Sequence, residues 1–415
     1  MVETLDTKLG TMFWAYTSPG VDDIEEVARK CDKLHVHFLD MPHHIDCWGN
    51  NPMNNHEHWD RIFDTLKAHG IVPHVYFQSN NYRTFTDPET HAIWDSKQMQ
   101  TIRQGIIDFI NRYAIRNPEI WWGDWNEPNG SGWVDSKERY DYYVIQVWEQ
   151  LSKWIHDEIR YRNPESIHTS ANYLGAPNSS HFDNVNNTFF SEYQYRFALY
   201  DDVDYLTWHP YVDTYNGEAI PEELLKQGIV PAEYNPLQKQ LIATEFGFAR
   251  GGGTGLQGRT WTDDEAAKLM IREILILDMM NYKRICFFCL TGSGNWDSNP
   301  YGAFNDTGKT DNYTQVGLAI KDLMDQLAGY HFVQRYDLDD EHLFALQYQN
   351  EAGDNKLAYW STNSAGTVET PFRDENQELN FTDYVQITDL SFEPIKCEFF
   401  LPIEADSSLG TRVKL

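Results

Sequence analysis

The chain has 415 residues, a formal net charge of −30, and 41% hydrophobic and 14% aromatic residues. That length suits one large α/β domain with a smaller one beside it. So acidic a chain repels phosphate backbones and anionic bilayers, which excludes nucleic acid as a partner and favours a neutral or cationic ligand.

No apolar run reaches the roughly 18 residues of a membrane-spanning helix. No signal-peptide pattern precedes the first strand-like run, so the expected location is the cytoplasm. The five cysteines, Cys31, Cys47, Cys286, Cys289 and Cys397, are odd in number and widely spread, unlike a disulfide framework. Cys286 and Cys289 have a CxxC spacing, but in an apolar strand residues three apart face opposite ways, which points to buried thiols. Six Asn-x-Ser/Thr sequons occur, one at Asn129, where a glycan would block the site described below. Oligomeric state is not readable from the sequence.

Taken in order, the first 330 residues alternate short strand-like runs with amphipathic runs. The expected strands are 9–17, 33–41, 71–79, 120–127, 166–174, 203–212, 240–248 and 284–292, eight in all. Between them lie helical patterns. In 136–162, Tyr140, Val144, Val147, Trp148, Leu151, Ile155 and Ile159 recur at helical spacing. Asp135 with Glu138, and Thr262 with Glu265, have the spacing of N-terminal capping boxes. Val316, Ile320, Leu323, Met324 and Leu327 form one face of a helix ending near Gly329. Eight β-then-α units predict a (β/α)8 TIM barrel over residues 1–330. Residues 331–415 carry short alternating runs at 342–348, 356–361, 384–388 and 395–401, and predict a small C-terminal all-β domain, sandwich-like and packed on the barrel.

In such barrels, functional side chains sit at the C-terminal ends of strands. The fourth strand ends in Trp121-Trp122-Gly123-Asp124-Trp125-Asn126-Glu127-Pro128-Asn129. A plain core would not hold Asn-Glu there, because an unpaired buried carboxylate is costly. The sixth strand ends in His209-Pro210-Tyr211, and the seventh in Glu245. Alternation puts Leu241, Ala243 and Glu245 of the seventh strand on one face, with small Ala243 beneath the acid inside the barrel. Two carboxylates facing each other across a barrel mouth are what glycoside hydrolysis needs, one as proton donor and one ionised. Asn126 would hold the hydroxyl next to the reacting carbon, His209 and Tyr211 would orient Glu245, and Trp296 would stack on a sugar face. Trp14, His37 and Asn172 are further candidate substrate contacts. This chemistry requires no metal and no organic cofactor, and the expected partner is a carbohydrate.

Asn126-Glu127-Pro128, His209-x-Tyr211 and Thr244-Glu245-Phe246-Gly247 at the fourth, sixth and seventh strands resemble the retaining glycoside hydrolases of clan A. Trp125-Asn126-Glu127-Pro128-Asn129 with a following β-domain is most similar to glycoside hydrolase family 39. The resemblance implies that Glu127 is the acid/base and Glu245 the nucleophile. It also implies action on a β-linked oligo- or polysaccharide of the xyloside, uronide or exopolysaccharide kind. The chain departs from the clan at the second strand, where many members carry Arg and this sequence has His35-x-His37.

Two other functions compete. His35 and His37 with His168, His209 and Asp297 resemble a metal-dependent amidohydrolase constellation, since alternate residues of a strand can share one ion. A barrel retained as a non-catalytic carbohydrate-binding protein is the other, although a binding module needs no pair of acids aimed at one point. The stretch from Gly302 to Thr310 has five residues between its glycines where a phosphate-binding loop needs four. The cluster His43, His44, Asp46, Cys47, His56 and His58 matches no tight zinc spacing.

Overall fold

The computed structural model describes residues 2–13, 24–44, 56–78, 97–127, 145–170, 172–174, 203–212, 220–227, 238–250, 260–291, 301–305, 310–363, 366–372 and 375–390. The strands β1 (Leu9–Met12), β2 (Phe38–His44), β3 (Val72–Gln78), β4 (Trp121–Trp125), β5 (Ile167–Thr169), β6 (Tyr173–Leu174), β7 (Leu206–His209), β8 (Leu241–Ala243) and β9 (Arg284–Phe287) form one parallel sheet. Its order is β5-β4-β3-β2-β1-β9-β8-β7-β6. Parallel bridges Asn126↔Asn172 and Thr169↔Tyr205 join the two edges. Strands β5 and β6 together fill the fifth position, so nine segments make the eight positions of a (β/α)8 barrel.

The second strand begins later than its sequence suggests. After the short α1 (Leu5–Lys8), helix α2 (Ile24–Lys33) runs into a turn at Leu34-His35, where His35 takes a left-handed φ of 52°. Buried Leu34 and Val36 plug this turn and imitate a strand pattern.

Inside the barrel, Phe38, Trp121, Ile242 and Cys286 meet Val72, Ile167 and Tyr205 in an apolar layer. Ile242 is therefore the inward residue of β8, whereas Leu241 and Ala243 pack outward into the main core. This reverses the face expected from alternation. Glu245 lies beyond the strand end, so period-two counting does not apply to it.

Helices α3 (His56–Ala68), α4 (Lys97–Arg116) and α5 (Ile145–Arg162) belong to the first half of the barrel. The short α6 (Glu223–Gln227), then α7 (Asp263–Met279) and α8 (Gln315–Leu327), follow. The Thr262–Glu265 capping box forms as expected, and Thr314 caps α8 by accepting from Gly317 N–H at 3.1 Å. The Asp135–Glu138 pair lies outside the described residues.

Helix α7 is buried all round from Leu269 to Asp278 because it is covered on both sides. Ala266, Met270, Ile274, Leu275 and Leu277 all join the core that also contains Phe344, Leu346 and Trp360 of the C-terminal strands. Those strands are β10 (Tyr330–Arg335), β11 (Leu343–Asn350), β12 (Asn355–Ser361) and β15 (Gln386–Leu390), an antiparallel sheet, with a separate hairpin of β13 (Gly366–Phe372) and β14 (Glu375–Phe381). The strands expected at 342–348, 356–361 and 384–388 correspond to β11, β12 and β15; the run at 395–401 lies outside the described residues.

Candidate active site

The site is assembled where β4, β7 and β8 end. Strand β4 pairs with β3 through His74↔Trp121, Val75↔Trp122 and Tyr76↔Gly123, then skips to Phe77↔Trp125. The extra residue is a bulge at Asp124, and it reverses the in-out alternation beyond it. Asp124 points outward, where its Oδ1 meets His168 Nε2 at 2.5 Å and its Oδ2 accepts from Ser152 Oγ. Asn126 consequently comes to the mouth. Glu127 follows with φ at +44°, a left-handed conformation that strains a non-glycine residue and recurs at functional sites. Its N–H donates to the Asn172 carbonyl at 2.7 Å, which fixes this turn to the strand beside it.

His209 is the last residue of β7 and is wholly buried. A turn through Pro210, closed by Tyr211 N–H donating to the His209 carbonyl at 2.8 Å, brings Tyr211 alongside. His209 Nδ1 lies 2.8 Å from Glu127 Oε1 and 3.6 Å from Glu245 Oε2, and the Tyr211 hydroxyl donates to the same Glu245 oxygen at 3.1 Å. One carboxylate oxygen from each glutamate and a ring nitrogen of His209 all lie within 4.8 Å of one another. Tyr211 is backed by a small apolar cluster of Met12, Ala249, Phe288, Cys289 and Tyr301.

Burial pushes the Glu245 carboxyl up to about 8, with Glu127 and Asp40 adding repulsion, while the charge of His209 and the Tyr211 hydroxyl pull it back. Burial also opposes charging His209, but Glu245, the Glu127 hydrogen bond and Asp40 outweigh it, so its pKa lies above the ordinary histidine value. Burial, with the nearby negative charge of Glu245, pushes the Tyr211 hydroxyl well above the phenol range and keeps it a donor. Two carboxylates this close do not both ionise cheaply by themselves, and the His209 ring lies within 3.6 Å of both.

Asn126 and Asn172 are joined by a backbone bridge. Asn126 Oδ1 and both side-chain polar atoms of Asn172 are buried with no protein partner among the described residues. They are amides left with hydrogen-bonding capacity beside the carboxylates.

Of the expected site residues, the structure brings together Glu127, Glu245, Asn126, Asn172, His209 and Tyr211. Trp14 and Trp296 lie outside the described residues. His37 is not at the site: it precedes β2, its N–H bonds the Leu9 carbonyl at the start of β1, and this is the opposite end of the barrel. His35 lies at the same end, with Nε2 3.7 Å from Asp325. His35 and His37 therefore cannot share an ion with His209, and His168 faces outward to Asp124 and His156. The histidine constellation of the amidohydrolase reading is not built. Among the described residues, the set spaced to hold a metal ion is Glu127, His209 and Glu245.

Two inward residues were missed in the sequence, Asp40 on β2 and His74 on β3, which face each other in register beneath the carboxylates. Placing β2 at Phe38–His44 would have exposed them, since Asp40 and His74 then alternate with Phe38 and Val72.

No protein-family model matches the sequence, and no curated protein matches it. Solved structures do share its fold. A family 39 glycoside hydrolase from Bacteroides cellulosilyticus WH2 superposes with a TM-score of 0.61 at 14% identity, covering 92% of this chain and 81% of the other. A glucosidase from Croceicoccus marinus gives 0.60 at 13% identity over 92% and 81%. An α-L-arabinofuranosidase from Thermotoga maritima gives 0.55 at 12% identity over 94% and 93%. At these identities the likeness establishes the fold, a (β/α)8 barrel with a C-terminal β unit. Among the described residues no helix is long and apolar enough to cross a membrane.

Proposed function

We propose that the protein is a retaining glycoside hydrolase acting on a β-linked oligo- or polysaccharide, of the xyloside or exopolysaccharide type. The observation that carries this is the convergence of Glu127, His209 and Glu245 within 4.8 Å at the C-terminal ends of three barrel strands. Retaining enzymes place their two carboxyl groups about 5–5.5 Å apart, and inverting enzymes roughly 6.5–9.5 Å apart to admit a water between them. The approach of one oxygen from each glutamate within 4.8 Å supports the shorter class. The fold shared with a family 39 glycoside hydrolase, a glucosidase and an arabinofuranosidase supports the same reading.

The chemistry we propose is a double displacement. A Glu245 oxygen attacks the anomeric carbon as the bond to the leaving oxygen breaks, and Glu127 gives that oxygen its proton. Water then attacks the same carbon, Glu127 takes its proton, and the bond to Glu245 breaks. The Tyr211 hydroxyl and protonated His209 favour charge on Glu245. Glu127 has a side chain 29% exposed and lies toward the mouth, where leaving group and water pass. Asn126 and Asn172 supply amides for sugar hydroxyls.

The test is a screen of xylosides, glucosides, galactosides, arabinosides and bacterial exopolysaccharides, with Glu245→Ala as control. Turnover that Glu245→Ala abolishes and that survives chelation supports the assignment. Tight sugar binding without turnover of any glycoside would favour a non-catalytic carbohydrate-binding barrel, and loss of activity on chelation would favour a metal at the same three side chains.

A further inference from the structure

Outside β4 the main core includes Trp122 and, from α5, Ile155 and Ile159. One carboxylate lies in this apolar layer. Asp124 is fully buried, and each of its oxygens is held by a different element: Oδ1 accepts from Nε2 of His168 on β5 at 2.5 Å, and Oδ2 from the Ser152 hydroxyl on α5. Ser152 and His168 are fully buried as well, and His168 Nδ1 lies 3.3 Å from Nδ1 of His156, one turn beyond Ser152 on α5. A buried polar group of this kind is a weak stabiliser, because apolar side chains of similar volume commonly do as well or better. Its place in the strand gives it another use. Asp124 is the extra residue of the β4 bulge, the one without a partner on β3. On one side of it Gly123 stands against the His74 ring, since a Cβ there would meet His74 Nε2 and Tyr76 Cβ at 2.9 Å. On the other side Asn126 bridges Asn172, and the Glu127 N–H donates to the Asn172 carbonyl at 2.7 Å with φ at +44°. The ladder to β3 does not hold the bulged residue; its side chain does. A one-residue slip of this strand end would turn every side chain beyond it to the other face.

We propose that Asp124 is a positioning residue for the reaction assigned above: by gripping His168 and Ser152 from the bulge, it fixes the register that brings Asn126 and Glu127 to the mouth. The inference rests on the glycosidase reading for its catalytic meaning, and on the hydrogen bonds among β4, β5 and α5 for its structural half. Asp124 acts through the backbone that runs from the bulge to Glu127. Glu245 stands beyond the end of β8 and is held by Tyr211, so the grip sets the proton donor and leaves the nucleophile where it is.

Asp124→Ala removes both grips. Amide hydrogen exchange on the substrate-free protein should then show the Glu127 N–H exchanging about tenfold faster or more, through a local opening. The Thr244 N–H, which donates to the Trp208 carbonyl at the same mouth, should keep its rate. Turnover of a glycoside with a poor leaving group should fall about 10²-fold, the result of displacing a catalytic group by about 1 Å. The first step on an activated aryl glycoside takes no proton from Glu127 and should hold its rate. A merely structural role would speed both amides together and slow both substrates alike, and that result overturns the proposal. Ser152→Ala removes one grip and should shift the same readouts in the same direction by less; it carries the test if Asp124→Ala does not fold. Faster exchange at Glu127 with Thr244 unchanged supports the proposal even if no glycoside is turned over, in which case the glycosidase reading fails by itself. Glu127 exchange that stays put in the folded variants overturns the proposal even if every glycosidase test succeeds.

Discussion

Glu127 and Glu245 are chemically alike and differ only in what surrounds them. Glu127 faces His209 and the mouth, whereas Glu245 is buried against His209 and Tyr211. If the roles follow, Glu127→Ala should spare the first step on aryl glycosides whose leaving group needs no proton, while slowing the second step by about 10²–10⁴-fold. Glu245→Ala should abolish both, and pre-steady-state kinetics on an activated aryl glycoside separate the two outcomes. With the Glu245 carboxyl pushed up to about 8, kcat/KM should fall as the pH drops below that value, because the proposed nucleophile takes up a proton. Tyr211→Phe removes a hydrogen bond that lowers Glu245, so the acidic limb should move to higher pH, by about half a unit to one unit. A limb that moves down in this variant would show that Tyr211 does not act on Glu245.

At the scale of elements, the bulge in β4 decides which side chains reach the site. Strict alternation from Trp122 through Asp124 would turn Asn126 away from the barrel, and the extra residue turns it back. Gly123 beside the bulge is required by His74. Gly123→Ala should cost about 1–3 kcal/mol by overpacking and displace the His74 ring, measurable as a lower denaturation midpoint and a changed His74 resonance. How much of this was legible in the sequence differs by element. The acids were legible, because Asn126-Glu127-Pro128 and Glu245 stand at the ends of recognisable strand runs, and the α8 face was legible from Val316 to Leu327. The bulge was not, because register depends on the partner strand and leaves no mark on Gly123-Asp124 alone. The start of β2 was hidden by buried Leu34 and Val36 in a turn, which placed His37 on a strand it only precedes. Pro371 inside β13 argues against a strand by propensity, yet an isolated hairpin tolerates it.

For the molecule as a whole, the barrel and the C-terminal sheet are tied by a buried polar knot. Arg272 of α7 pairs with Glu222, Nε to Oε1 at 2.7 Å and a second nitrogen to Oε2 at 2.5 Å. Trp360 of β12 donates its indole N–H to the same Glu222 at 2.7 Å. Breaking such a pair leaves a charge buried without compensation, so Glu222→Gln should cost about 3–5 kcal/mol, read by chemical denaturation. Trp360→Ala should cost a similar amount through the cavity it leaves, and should lower the stability of barrel and sheet together because their side chains share one core. Separate transitions for barrel and sheet in the unmodified protein would contradict that single core. The net charge of −30 makes a neutral glycan a better electrostatic match than a polyanionic one.

The central claim, two glutamates acting by double displacement across a short gap, is tested most directly by the anomeric configuration of the first-formed product. NMR of a β-glycoside hydrolysis, recorded before mutarotation, should show the β-anomer released first. Release of the α-anomer first would mean a single displacement by water, and would contradict the assignment of Glu245 as nucleophile.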